Sequence, residues 1–371
     1  MQQNDFLFNK GCVMVNSHYI PQFILKSFCT DNKLYYCDIN KKRVEVRNTR
    51  SVFSEKGYYP DDIEKDLSKK VEYEFSVLYH NKLEKMSNTI DLNERELFIL
   101  KKYLVVSALR FRYEYSDLDL KIIEEHGDSY KLRIIDSLNI ILKAESTEDY
   151  KDIIMSVGED TVFKMLSGNK INDEDINMHL WSESKDIIQS YLVFITAPRD
   201  EKFIIPDTGR GVFEGPLGIR KLTGVIDYNM MHPDPRLMSL ILTISPRDYS
   251  VYPLTKDLAV LTMNGFYKLV TDSEFKINIP LPEDCPTVSS VLGFGSKEVI
   301  NPPKVRFNGI NKVYKYTVNR INSNDISHLN SLMMAQAKHF IAFSNPNEIK
   351  RSVDLINEYT DRSFDFIKTK T

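Results

Sequence analysis

The chain has 371 residues, of which 49 are Lys or Arg and 52 are Asp or Glu, for a formal net charge of −3. A hydrophobic share of 42 % and a charged share of 27 % describe an ordinary soluble globular protein, and the near balance exerts no global pull toward nucleic acid or an anionic membrane. Four cysteines (Cys12, Cys29, Cys37, Cys285) in no CxxC and no paired spacing argue against structural zinc and a disulfide framework, so a reducing cytoplasm is the expected setting.

Residues 1–16 read as a loose leader. No charged n-region precedes an apolar h-region there, so no signal peptide is expected. The run Ser17–Phe28 then carries Ile20, Phe23, Ile24 and Phe28 at i, i+3, i+4 and i+8, the stripe of a short helix with one buried face. Pro21 suits its first turn, where a missing N–H costs nothing. Lys33–Ile39 and Arg43–Arg47 read as a hairpin through Asn40-Lys41-Lys42. A long helix is expected from about Asp62 to Met86, with Asp61 and Glu64 as a capping box. A second helix starts at Asn93, boxed by Glu96, and runs to about Tyr115. Its apolar residues lie on nearly every side, so it is a central, buried helix. The longest apolar stretch, Leu97–Leu109, is broken by Lys101-Lys102 and cannot span a bilayer.

Further helices fill 117–190. From Gln189 the period shortens, and Tyr191–Thr196, Lys202–Ile205, Leu237–Ile244, Leu258–Met263 and Val313–Val318 read as strands. Residues 206–236 hold five glycines and four prolines, the composition of a long functional loop. Helices over about Ser323–Phe343 and Asn347–Phe366 close the chain. The fold class is α+β, a helical block packed on a mixed, mostly antiparallel sheet, with an N-terminal β-hairpin and C-terminal helices. We expect a single unit over 1–371, divided into helix and hairpin (16–60), helical block (61–190) and sheet plus helices (191–371).

Charge is unevenly spread. Glu114–Asp186 holds eighteen acidic and eight basic residues, whereas Lys297–Arg320 holds six basic and one acidic, and 31–56 holds seven basic and four acidic. The two basic segments make either a phosphate-binding surface, if they meet, or two solvated strand faces.

Four residues are candidates for chemistry: His18, Glu72, Arg110 and Asp207. His18 lies just ahead of a helix start, where the positive dipole end disfavours imidazolium, and a neutral imidazole near physiological pH suits proton transfer. Arg110 and Arg112 come from the buried helix, and guanidinium groups there need carboxylates, for which Glu64, Glu72 and Asp207 are available. Such a group is either a structural ion pair or, beside histidine and carboxylate, a holder of phosphate. Glu64 falls at the centre of the Leu67, Val71, Phe75, Leu78 stripe, whereas Glu72 lies at its edge and is freer to face a cleft. Asp207, Asp227, His232 and Asp234 offer hard ligands for Mg²⁺, against a plain rigid turn at His232–Pro235. Pro206-Asp207 with Glu274-Phe275-Lys276 echoes a PD…(D/E)xK nuclease, but the spacing is too long for that core. No Walker loop, Rossmann glycine pattern, HExxH, GxSxG or kinase signature is present.

The run His18-Tyr19-Ile20-Pro21-Gln22-Phe23, with Leu25, Phe28 and the Leu34–Asp38 strand, resembles the opening of the bacterial domain-of-unknown-function family 4238. The order of similar segments continues through Arg50, Gly57-Tyr58-Tyr59, Glu64 and Glu72, Ser107-x-x-Arg110, Phe203–Asp207, Tyr252-Pro253-Leu254-Thr255 and Leu329-Asn330. Ser107 and Pro206 depart from the family pattern, which has Gln and Ser there. The resemblance implies an association with mobile elements and phage defence, but no established reaction. A cytosolic phage-defence effector or toxin-like protein is therefore expected, acting on nucleic acid or nucleotide phosphodiesters. In that reading His18 is the acid/base, Arg110 the phosphate clamp, and Glu72 or Asp207 the group orienting His18. The alternative is a non-enzymatic module that recognises a phage or host protein through its Tyr- and Phe-rich surface and the 206–236 loop.

Overall fold

A computed structural model describes residues 16–56, 60–85, 87–110, 191–213, 249–263, 304–308, 311–360 and 363–370, together with a few positions within 138–149 and residue 187. The first described elements are β1 (Asn16–His18) and the five-residue α1 (Gln22–Lys26), which buries Ile24 and Leu25. The hairpin follows as β2 (Leu34–Asp38) and β3 (Arg43–Arg47), and its turn is pinned by the Asp38 carboxylate accepting the Lys41 amide at 3.0 Å. A short β4 (Ser54–Lys56) returns to pair with β1.

The long helix is real but not uniform. It runs as α2 (Asp61–Leu67), a π-turn (Ser68–Glu72), α3 (Tyr73–Leu78) and a second π-turn (Tyr79–Leu83). It buries Leu67, Val71, Phe75 and Leu78, as the stripe requires. No capping box forms at its start: Pro60 is the cap residue and supplies no side-chain bond, so Asp61 already lies inside the helix. At the next helix the expected box does form. The Asn93 side chain accepts the Glu96 amide at 2.9 Å, and Glu96 accepts the Asn93 amide at 2.8 Å. This α4 (Glu94–Arg110) follows β5 (Thr89–Asn93) and buries Leu100, Leu104, Val105 and Ala108 completely. Phe75 stacks on Tyr103 with ring centres 3.7 Å apart, joining α3 to α4.

Most of the described strands come from the second half. Strands β6 (Tyr191–Thr196), β7 (Ile205–Pro206), β8 (Gly211–Phe213), β9 (Tyr249–Pro253), β10 (Leu258–Met263), β11 (Lys304–Asn308) and β12 (Asn311–Arg320) precede α5 (Ser323–Gln336), β13 (Phe340–Phe343) and α6 (Lys350–Tyr359). Among the described residues, six of these strands and β5 make one sheet, in the order β11-β12-β6-β10-β9-β8 with β5 also on β12; only its β12–β6 pairing is parallel. A second sheet runs β3-β2-β13-β7 and is wholly antiparallel. The N-terminal hairpin thus joins a C-terminal strand, with Tyr35 stacked on its directly opposite partner Phe343. The architecture is α+β.

Several expected elements change. Of Lys202–Ile205, only Ile205 enters a ladder, because the amides of Lys202, Phe203 and Ile204 go to the Glu348 carbonyl, the Lys256 carbonyl and the Asn330 side chain. The helix expected over Ser323–Phe343 stops at Gln336, and Phe340–Phe343 is a strand. The 347–366 helix is a 3₁₀ turn (Pro346–Ile349) followed by α6. Gly211 is required where β8 crosses α5, since a Cβ there would lie 2.8 Å from Met333 Cγ. The expected 117–190 helices lie almost wholly outside the described residues, as do the leader and the Leu237–Ile244 strand.

Candidate active site

The site is built where β1 meets α4. His18 pairs in register with Ser54, and the next amide, Tyr19, donates to the Phe53 carbonyl at 3.0 Å. Phe53 holds a left-handed backbone (φ 50°), which a bulky residue adopts only under constraint. The constraint is visible: its ring is buried edge-on against Tyr19 and Tyr36, with centres 5.9 and 5.3 Å apart.

Arg110 reaches this corner from α4 with a side chain only 2 % exposed. Its Nη1 donates to the Glu72 carboxylate, its Nη2 donates to the main-chain carbonyl of His18 at 2.7 Å, and Glu64 Oε2 lies 3.9 Å from the same nitrogen. Both carboxylates come from the π-interrupted helix. Over eight residues a regular α-helix makes two turns and roughly 80° more, leaving Glu72 well to one side of Glu64. The π-turn at Ser68–Glu72 advances less per residue and swings Glu72 back toward Glu64. Such turns recur at functional sites for this reason: they re-aim one side chain without ending the helix.

The His18 ring is half-buried, and its Nε2 lies 2.9 Å from the carboxamide nitrogen of Gln22. Burial lowers its pKa below the ordinary histidine value; the Arg110 charge adds to this, while the Val52 carbonyl and Glu72 oppose it. The shift is in the direction expected from sequence, but its largest cause is desolvation and not a helix dipole, since α1 has only five residues. Nδ1 is buried and makes no hydrogen bond of good geometry. Neither Glu72 nor Glu64 bonds the ring.

Asp207 belongs elsewhere. Its carboxylate accepts the amides of Lys338, His339 and Phe340 at 2.9, 2.7 and 3.1 Å, where the chain leaves α5 for β13. Burial raises its pKa against the pull of those three donors. The role of orienting His18 is thus not one its hydrogen bonds serve, whereas His18, Glu72 and Arg110 are brought together. Asp227, His232, Asp234 and Glu274–Lys276 lie outside the described residues, and so does Arg112. Among the described residues no group of three or more His, Cys, Asp or Glu is arranged to hold a metal ion.

The basic segments lie in different sheets. Arg43 and Arg47 are both paired with Glu45, and Lys41 with Asp38, so the hairpin offsets part of its own charge. Ser107 is buried and bonds the Tyr103 hydroxyl beside Arg110.

Two features carried no readable signal. Gln22 is a polar residue one turn after His18. Glu201, 1 % exposed, accepts both the amide and the hydroxyl of Ser352, which in turn meets Asn330 at 3.0 Å; burial pushes its carboxyl up to about 7.

No helix among the described residues is long and apolar enough to cross a membrane. No curated protein and no solved structure matches the chain. The model of a family described as a protein of unknown function, DUF4238, matches residues 16–347, a span that includes the His18 corner, and the chain belongs to that family.

Proposed function

We propose that the protein is a cytosolic phage-defence effector or toxin-like hydrolase that acts on phosphodiesters of nucleic acid or nucleotides, with His18 as its acid/base. The observation that carries this reading is that the main chain of His18, whose half-buried imidazole has its pKa lowered by burial, is held by the buried Arg110 guanidinium, which is itself paired with Glu72. The proton of an attacking hydroxyl passes to His18, the new O–P bond forms, the leaving oxygen departs, and the imidazolium returns a proton to it. Arg110 has Glu72 and the His18 carbonyl on its terminal nitrogens. Its part in the proposal is therefore to hold the main chain of His18 and to place positive charge behind the reacting phosphate, rather than to grip the phosphate directly.

The test is to express wild type and His18→Ala in bacterial cells, challenge them with phage, and follow RNA and DNA integrity by sequencing. Wild type should fragment nucleic acid and protect; His18→Ala should do neither. Intact nucleic acid in both strains, with protection retained in the variant, rules the hydrolase out.

A second reading, a non-enzymatic module that recognises a phage or host protein, is favoured by Tyr73 and Val77. They are 67 % and 46 % exposed and four residues apart on α3, an apolar pair presented to solvent. Under that reading Tyr73→Ser would abolish protection while His18→Ala would not.

A further inference from the structure

We infer that Gln22 is the positioning residue of His18: its carboxamide fixes the tautomer of the imidazole and keeps Nε2 as the nitrogen that meets substrate. The use of that nitrogen in phosphodiester cleavage rests on the function proposed above; the tautomer assignment does not.

The two nitrogens of the ring are not equivalent. Nδ1 is buried and makes no hydrogen bond of good geometry, whereas Nε2 has the Gln22 side chain against it. Nε2 lies 2.9 Å from the Gln22 amide nitrogen, a donor, and so presents its lone pair there; the ring proton then belongs on Nδ1. An imidazole in that state is ready to accept a proton at Nε2. A residue that releases the nitrogen on demand must itself be lightly held, and Gln22 is: it is half-buried, and His18 is the partner of its carboxamide. A substrate hydroxyl bonding Nε2 displaces a neutral amide, with no charge to uncover. The backbone geometry makes the pair rigid. Gln22 opens α1 directly after Pro21, and His18 is fixed by its β1–β4 register and by Arg110 on its carbonyl. The His-x-x-x-Gln spacing therefore places two groups that need only meet at one atom.

The full-length protein labelled with ¹⁵N-histidine tests this by NMR. The chain has seven histidines, and His18→Ala identifies the His18 signals by their loss. Wild type should show Nδ1 as the protonated and Nε2 as the unprotonated nitrogen. Gln22→Met should move the ring toward the Nε2–H form and lower phosphodiester cleavage about tenfold at pH 7. Gln22→Glu keeps the length of the side chain, places a carboxylate on Nε2 and should raise the His18 pKa by a unit or more; it carries the test alone if the Met variant does not fold. Unchanged His18 nitrogens in Gln22→Met, or an unchanged pKa in Gln22→Glu, overturn the inference even if cleavage is found. A tautomer that follows Gln22 in a protein that cleaves nothing upholds the positioning role and removes the hydrolase reading.

Discussion

Arg110 holds the carbonyl oxygen of His18 at 2.7 Å across 92 residues of sequence, with Glu72 on the other arm of its guanidinium. One side chain thereby ties the first described strand to the end of the central helix. Arg110→Ala strands Glu72 at a largely buried position and leaves the His18 carbonyl without its donor. We expect a loss of about 3–5 kcal/mol, the cost of breaking a buried pair from one side. Arg110→Lys should recover little, because an ammonium cannot serve two acceptors with the geometry of a planar fork. Urea unfolding of the three proteins measures this; a variant within about 1 kcal/mol of wild type would show the pair to be dispensable.

His18→Ala should behave differently. The ring is half-buried and makes one side-chain hydrogen bond, so its removal should change stability by about 1 kcal/mol or less. The contact with Arg110 uses the main chain and survives the substitution. Thermal melts that fall in step for His18→Ala and Arg110→Ala would make the ring a folding element instead of a reacting group.

Glu201 gives the protein a pH dependence of identifiable sign. Its folded pKa of about 7 lies above the ordinary value of 4.5, so between those two values the folded state binds more protons than the unfolded one. The stability it contributes is fully present below pH 4.5 and is lost as pH rises through 7, by on the order of 3 kcal/mol. His18 works the other way, because its folded pKa is lowered and acid must charge it. Glu201→Gln keeps an oxygen for Ser352 and cannot ionise. The variant should therefore gain on wild type as pH is raised from 5 to 8; parallel stability curves across that range would refute the assignment.

Asp207 is expected to be structural. Asp207→Ala leaves three amides, of Lys338, His339 and Phe340, without their acceptor at the start of β13, for a loss of about 3–5 kcal/mol. Asp207→Asn should lose a large part of the same stability, since one end of its amide is a donor facing donors. The ¹⁵N signals of His18 should be the same in the Asn variant as in wild type. A shift in them would return Asp207 to the His18 site.

Local chemistry made much of this structure legible. Asn93 and Glu96 sit three apart ahead of an apolar run, and they cap the helix as that spacing requires. Asp61 and Glu64 have the same spacing and do not, because Pro60 takes the cap position and Arg110 lies within reach of Glu64. The β6 and β10 strands are mostly apolar, β-prone runs and were readable to the residue. By contrast, Phe340–Phe343 follows a helix without an intervening glycine or proline. What ends that helix is Asp207, more than a hundred residues earlier, and no local rule contains it. Glu72 was displaced on the helical wheel for a similar reason, since a wheel assumes a constant turn and the π-turn breaks it. His18 and Arg110 were readable as candidates; that they meet through a main-chain carbonyl was not, because every residue has one.

The register of β2 against β13 also sets a clock on the ribosome. Tyr35 pairs with Phe343 and Cys37 with Ile341, so the hairpin waits for a partner made some 300 residues later. At about 5–20 residues per second that interval is roughly 15–60 s. Throughout it the β2 edge has no sheet to join, and a nascent chain released early would expose Leu34–Asp38 to pairing with other chains. The β1–β4 corner that carries His18 brackets the hairpin in the chain, β1 before it and β4 after it, so it too is completed on a scaffold whose last strand is made some 300 residues later. Translation to the closing strand is thus a precondition for the finished corner, and stop codons placed shortly before residue 340 should yield aggregates rather than a partly working protein.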